Sequence, residues 1–154
     1  MLTYQLIEGA ARRQWLDDLL LADEEVGMIE RYLMHGQFYT VSDQQQVIGV
    51  FHLMALNNQQ VELKNIAVRP EWQHRGFGGQ MMTQIQTIAI DQGFQSLLVG
   101  TGDGSLAAIG FYLRQGFRFE QIRKNFFDQY QTPIYENGIR LKDMVVLAKI
   151  LKKT

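Results

Sequence analysis

The 154-residue chain carries 15 Lys and Arg against 16 Asp and Glu, a formal net charge of −1, with acids and bases interspersed. That length suits one domain spanning residues 1–154 with a real core, and that charge balance argues against an extended nucleic-acid partner. The absence of cysteine excludes disulfides, thiol nucleophiles and thiolate metal sites.

The first predicted element is a short strand, Tyr4 to Ile7, after which Trp15, Leu16, Leu19 and Leu20 fall at helical spacing. Asp23 is placed to cap a second helix that carries Val26, Ile29 and Leu33 on one face and ends near Gly36. Gln37 to Ser42 and Gln46 to Leu56 form a hairpin pair around Asp43, Gln44 and Gln45, and Val61 to Val68 adds a third consecutive strand. Arg69 and Pro70 close that strand, because proline cannot donate to a ladder. A helix bearing Phe77, Met81, Ile85, Ile88 and Ala89 follows and stops at Gly93. Phe94 to Val99 is then a strand parallel to Val61 to Val68, since the connection is a crossover helix. Leu106 to Leu113 is a helix stopped near Gly116, and Phe117 to Ile122 is a strand. An irregular segment, Arg123 to Lys142, contains a tight turn at Asn137 and Gly138 and leads to a final strand, Met144 to Ile150. The order predicts an α/β domain on a mixed sheet. No apolar run approaches membrane-spanning length, and Met1 to Arg13 lack the layout of a signal peptide, so a cytoplasmic protein with no membrane partner is expected.

The turn Gln73, His74, Arg75, Gly76, Phe77, Gly78, Gly79 leads from a strand into a helix and is the main chemical signal. Glycines let a ligand approach several amides, and the helix N-terminus adds free N–H donors, so a diphosphate is a natural guest. A Walker loop is excluded because Gln80 and Met81 follow the glycines, and the dinucleotide fingerprint fails at Met81. On glycines alone, a surface turn that caps a helix remains the alternative. His35 and His52 are isolated, and no residues stand at metal-ligand spacing, so no metal is expected.

The run Val61 to Met82, followed by Ser105 to Phe119, resembles the acyl-CoA-binding core of the GCN5-related N-acetyltransferases (GNAT). Gln73, Gly76 and Gly78 match the turn motif, and Ala108, Phe111, Tyr112, Gly116 and Phe117 match the downstream helix motif. The resemblance implies the acyl-CoA N-acyltransferase fold: a mixed sheet of about seven strands and about four helices, with parallel fourth and fifth strands that splay apart. It implies acetyl-CoA as cosubstrate. Open backbone groups at Ile66, Ala67 and Val68 would take the pantetheine arm like an extra strand. Amides from His74 or Arg75 through Gly76, Phe77, Gly78, Gly79 and Gln80 would take the diphosphate, beside Gln73 and Ala108. The Val68 amide would face the thioester carbonyl.

By the same resemblance Tyr112 is the candidate acid for the departing thiolate, with ordinary aromatic packing as its alternative. Glu62 stands where a general base stands in histone-type members; a surface carboxylate paired with Lys64 is the plain reading. Ser105 replaces the usual asparagine beside the pantetheine arm and is also placed to cap the next helix. The two early helices and Arg123 to Lys142 should set acceptor specificity, and Phe126, Phe127, Asp128, Tyr130, Tyr135 and Glu136 would suit an ammonium-bearing acceptor or simply pack the segment. The expected activity is direct acetyl transfer from acetyl-CoA to a primary amine of a small molecule. An acyl-CoA-binding sensor is the alternative, and the last strand and Arg123 to Lys142 are the segments through which a homodimer could pair.

Overall fold

The computed structural model describes residues 1–152. Strands β1 (Leu2–Ile7), β2 (Gln37–Asp43), β3 (Gln46–Ala55) and β4 (Gln60–Val68) form an antiparallel meander. β4 then pairs in parallel with β5 (Ser96–Gly102) through the crossover helix α3 (Phe77–Asp91). Helix α4 (Leu106–Arg114) leads to β6 (Arg118–Arg123), and β9 (Met144–Ile150) inserts between β5 and β6. The result is a seven-stranded sheet in the order β1-β2-β3-β4-β5-β9-β6. The segment expected to be irregular contains a 3₁₀ turn at Phe126–Gln129 and a two-stranded ribbon, β7 (Tyr135–Glu136) and β8 (Ile139–Arg140). Asn137 and Gly138 turn that ribbon with φ of 55° and 74°.

Successive residues of a strand face opposite sides of the sheet, and the two sides hold separate cores. On one, Met81, Met82, Ile85 and Ala89 of α3 pack with Tyr112 and Phe117 onto Phe51, Leu53, Val61, Leu63, Leu97, Val99 and Leu147. On the other, Leu19, Ile29, Tyr32 and Leu33 pack onto Phe38, Val50 and Ala67. The elements on this second side are shorter than helical spacing predicts: a 3₁₀ turn at Gly9–Trp15, then α1 (Leu16–Leu19) and α2 (Val26–Glu30). Polar contacts complete them. The Asp18 carboxylate, buried on α1, accepts from Arg69 at 2.8 and 3.1 Å. Buried Arg12 donates to the carbonyls of Ile7, Leu33, His35 and Gly36 at 2.8–2.9 Å. Gly36 is required there, since its φ is +65° and a Cβ would fall on the Leu53 carbonyl.

α3 and α4 end with the same device. Gly93 and Gly116 have φ of 87° and 94°. Phe94 N–H returns to Ala89 O at 3.0 Å, and Phe117 N–H returns to Tyr112 O at 3.0 Å, the Schellman pattern that stops a helix.

His52 is fully buried on β3, with Nε2–H donating to His35 O at 2.6 Å and Nδ1 unpartnered among the described residues. Protonation would add a buried N–H without an acceptor. Burial pushes the imidazole pKa down from 6.5 to about 4. The unfolded chain therefore gains a proton between about pH 6.5 and 4 that the folded chain refuses, so stability falls as pH drops through that window and this contribution levels off below it. Urea unfolding midpoints should decline from pH 7 to 4.5 more steeply in the native chain than in His52→Gln. Equal slopes would remove His52 from the acid response.

Candidate active site

β4 pairs with β5 only from Gln60 to Leu63, opposite Ser96 to Val99. Beyond that point β4 stays on β3 as far as Val68, and β5 stays on β9 through Gly100 to Gly102. A wedge therefore opens between β4 and β5, and the β4 edge from Lys64 onward faces no strand. A buried edge with unmatched amides and carbonyls is costly unless another backbone-like group supplies partners, so an amide-bearing arm fits it.

On one side of the wedge lies a groove lined by Ile66, Val68, Trp72, Gln73, His74, Gly76, Phe77, Gly78, Gly79, Ala108, Phe111 and Tyr112. His74 and Gly76 take positive φ, 63° and 83°, and Gly76 is the N-cap of α3. The first intrahelical bond runs from Gln80 N–H to Gly76 O at 3.2 Å, so the amides of Phe77, Gly78 and Gly79 have no partner inside the helix and suit an anion. These donors fit the diphosphate and amide groups of acetyl-CoA. The Trp72 ring forms part of the groove wall, with its indole N–H buried and without a partner among the described residues.

The groups around the groove and wedge also carry bonds of their own. The Gln80 amide is committed to α3. The Gln73 side chain donates to Val68 O at 2.8 Å, so that carbonyl is not free. Arg75 lies over the Trp72 ring, 5.1 Å from its centroid, rather than in the groove lining. The Ala67 side chain points into the opposite core, and its carbonyl lies beside Gly49 of β3 rather than in the wedge. Ser105 is buried and lines the neighbouring cavity, and its hydroxyl does not cap α4.

That second cavity, about 480 Å³, lies on the other side of the wedge. It is walled by β4 (Glu62, Lys64, Asn65), by the α1–α2 region (Asp23, Glu24, Met28, Arg31, Tyr32) and by Phe126, Phe127, Tyr130 and Glu136. The two hollows share Ile66, Ala108 and Tyr112. Tyr112 is 8% exposed, and burial pushes its phenol pKa up to about 12, which keeps it protonated at neutral pH. Its ring packs against Phe111 and Phe117 with centroids 5.4 and 5.7 Å away.

Glu62 is buried within the cavity wall, with Lys64 Nζ at 3.6 Å and Arg123 Nη2 at 3.8 Å. Glu62 faces the cleft and pairs with Lys64, but it is buried and so is not the surface carboxylate of the plain reading. Asp23 caps nothing. Its carboxylate accepts from Tyr130 at 2.7 Å and Tyr32 at 3.3 Å, and burial raises its pKa despite those bonds. Glu25 accepts the N–H groups of Gln131 and Thr132 at 2.9 and 3.2 Å. These bonds lay the segment after β6 across the α1–α2 loop as a wall. Phe126, Phe127 and Tyr130 face the cavity from it, whereas Tyr135 is exposed and Asp128 pairs with Lys142. Sequence reasoning names Lys64 only as a surface partner and misses Trp72 and Arg123. Lys64 stands two residues after Glu62, the spacing that places both on one face, before the register shift at Lys64 turns Ile66 to the other.

A family model for the acetyltransferase (GNAT) family matches residues 3–117. The uncharacterized N-acetyltransferase YvbK of Bacillus subtilis strain 168 is 37% identical over 132 residues, 85% of each chain. A GNAT family acetyltransferase from Elizabethkingia anophelis, solved with acetyl-CoA bound, is similar at 36% identity with a TM-score of 0.92, covering 97% of this chain and 98% of that one. A Bacillus subtilis acetyltransferase in complex with CoA gives 35% identity and a TM-score of 0.89, covering 99% and 100%. With the fold and the matched residues in agreement, the chain belongs to the acetyltransferase (GNAT) family.

Proposed function

We propose that this enzyme transfers an acetyl group from acetyl-CoA directly to a primary amine of a small-molecule acceptor. The observation that carries the reading is the meeting of the two hollows at Ile66, Ala108 and Tyr112, one lined with donors for a diphosphate and the other closed by acids and aromatics. In the reaction the neutral amine attacks the thioester carbonyl, a C–N bond forms and the C–S bond breaks. The amine proton leaves to Glu62, directly or through water, and the thiolate takes a proton from the Tyr112 hydroxyl. The products are the acetamide and free CoA. The Val68 amide is assigned to the oxyanion.

Calorimetric titration with acetyl-CoA, CoA and ATP, followed by thiol release against an amine panel, tests this. Acetyl-CoA binding without ATP binding, together with release on one amine class, is expected. Binding without release on any amine would favour a sensor, and failure to bind acetyl-CoA would overturn the reading. Glu62→Gln should lower kcat about 100-fold and leave acetyl-CoA affinity unchanged. A kcat within twofold of the native value would assign the base role to water alone.

A further inference from the structure

We propose that the acceptor is an amino acid or a related amine bearing a carboxylate, and that Lys64 and Arg123 bind that carboxylate beside Glu62. This rests on the acyl-transfer reading of the same site.

The observation is how loosely these three groups are paired. Lys64 Nζ is 3.6 Å from one Glu62 oxygen and Arg123 Nη2 is 3.8 Å from the other, both beyond hydrogen-bond length. Lys64 otherwise lies over the Tyr32 ring, 5.3 Å from its centroid, within electrostatic reach of Asp23. Arg123 otherwise meets the Met144 thioether at 3.7 Å. The side chains of Lys64 and Arg123 are 24% and 33% exposed, so neither is fully solvated nor fully paired. Both hold N–H donors free for a second acceptor, and a carboxylate bridging them would make the charge-assisted bonds that Glu62 does not complete.

Charge immediately beside Glu62 is locally positive, since Glu62, Lys64 and Arg123 sum to +1 and an amino acid with a neutral amine would cancel it, whereas Asp23, Glu24, Glu136 and Arg31 bring the seven groups to −1. Of the three, Glu62 and Lys64 line the cavity and Arg123 stands beside Glu62 outside that lining, and Asp23, Glu24, Glu136 and Arg31 face the cavity too. Asp23 already accepts two phenol hydrogens, and Arg31 donates to Gln129 at 2.6 Å. Glu24 and Glu136, from the α1–α2 loop and β7, would instead favour a second ammonium, so the test sets the two preferences against each other.

Matched pairs supply it: L-phenylalanine with 2-phenylethylamine, L-leucine with 3-methylbutylamine, and L-lysine with 1,5-diaminopentane. The amino acid should have the higher kcat/KM in each pair, by about 10- to 100-fold. In Lys64→Met and Arg123→Met that ratio should fall toward unity. A ratio within one variant is insensitive to partial misfolding or to altered basicity at Glu62, because both members of the pair meet the same enzyme. Equal or better turnover of the amines, or a ratio unchanged in both variants, overturns the proposal. If acetyl-CoA binds but no member of any pair is acetylated, the amine-transfer reading fails. Calorimetry of the same pairs on the acetyl-CoA complex then decides the carboxylate site alone: tighter binding of the amino acids upholds it and equal binding removes it.

Discussion

Replacing Tyr112 by phenylalanine is expected to lower kcat by about 10²- to 10⁴-fold, with acetyl-CoA affinity and the urea midpoint close to those of the native chain. The substitution removes one oxygen and leaves the ring, which holds its place between Phe111 and Phe117. The hydroxyl has no recorded protein partner among the described residues, so little stability depends on it. Its position is fixed from two directions. The Tyr112 carbonyl accepts the Phe117 N–H that ends α4, and the side chain stands where the two hollows meet. The bond that stops the helix therefore also aims the hydroxyl proposed as proton donor. With its pKa raised to about 12, the phenol stays protonated well past neutrality, and the native pH–rate profile should show no alkaline loss from this group below about pH 10. A Phe variant with native kcat would reduce Tyr112 to a packing residue.

The largest stability effect is expected at Arg12. Arg12→Met keeps an apolar stem but strips a donor from the carbonyls of Ile7, Leu33, His35 and Gly36. Leaving buried acceptors unpaired should cost about 4 kcal/mol, read as a fall in urea midpoint at constant slope. Arg12→Lys should recover little, because an ammonium cannot span four carbonyls as a planar fork does. The arginine charge also helps hold His52 neutral, so the Met variant should lose part of the acid sensitivity between pH 7 and 4.5. A midpoint within 0.5 kcal/mol of native would show that water replaces the guanidinium.

The parts of this molecule that could be read in advance are those where one local rule acts alone. Gly93 and Gly116 stop α3 and α4 because only a residue tolerant of positive φ can make the reversed turn. β9 runs from Met144 to Ile150 as predicted, while β5 lies slightly later than predicted, at Ser96–Gly102, because Phe94 completes the preceding turn by its bond to Ala89 O. The α1–α2 region resisted reading because distant groups stabilise it. Asp23 looks like a helix cap in sequence, yet its carboxylate is claimed by a tyrosine more than a hundred positions away. Arg12 and Asp18 look like surface charges until the strands that bury them are assembled. In the site, the glycine turn is legible by spacing and Tyr112 by the family resemblance. The Arg123 contact depends on β6 crossing next to β9, which no local pattern encodes.

The two hollows have only Ile66, Ala108 and Tyr112 in common, and their remaining walls come from different stretches of chain. Mutations in the α1–α2 loop or after β6 can therefore be sampled by drift without disturbing the donor groove, provided the Asp23 and Glu25 clasps hold. Selection for a new acceptor is thereby separated from selection for the acyl donor. The same partition gives an engineer a place to randomise, the Phe126–Tyr130 wall, and three positions to leave alone.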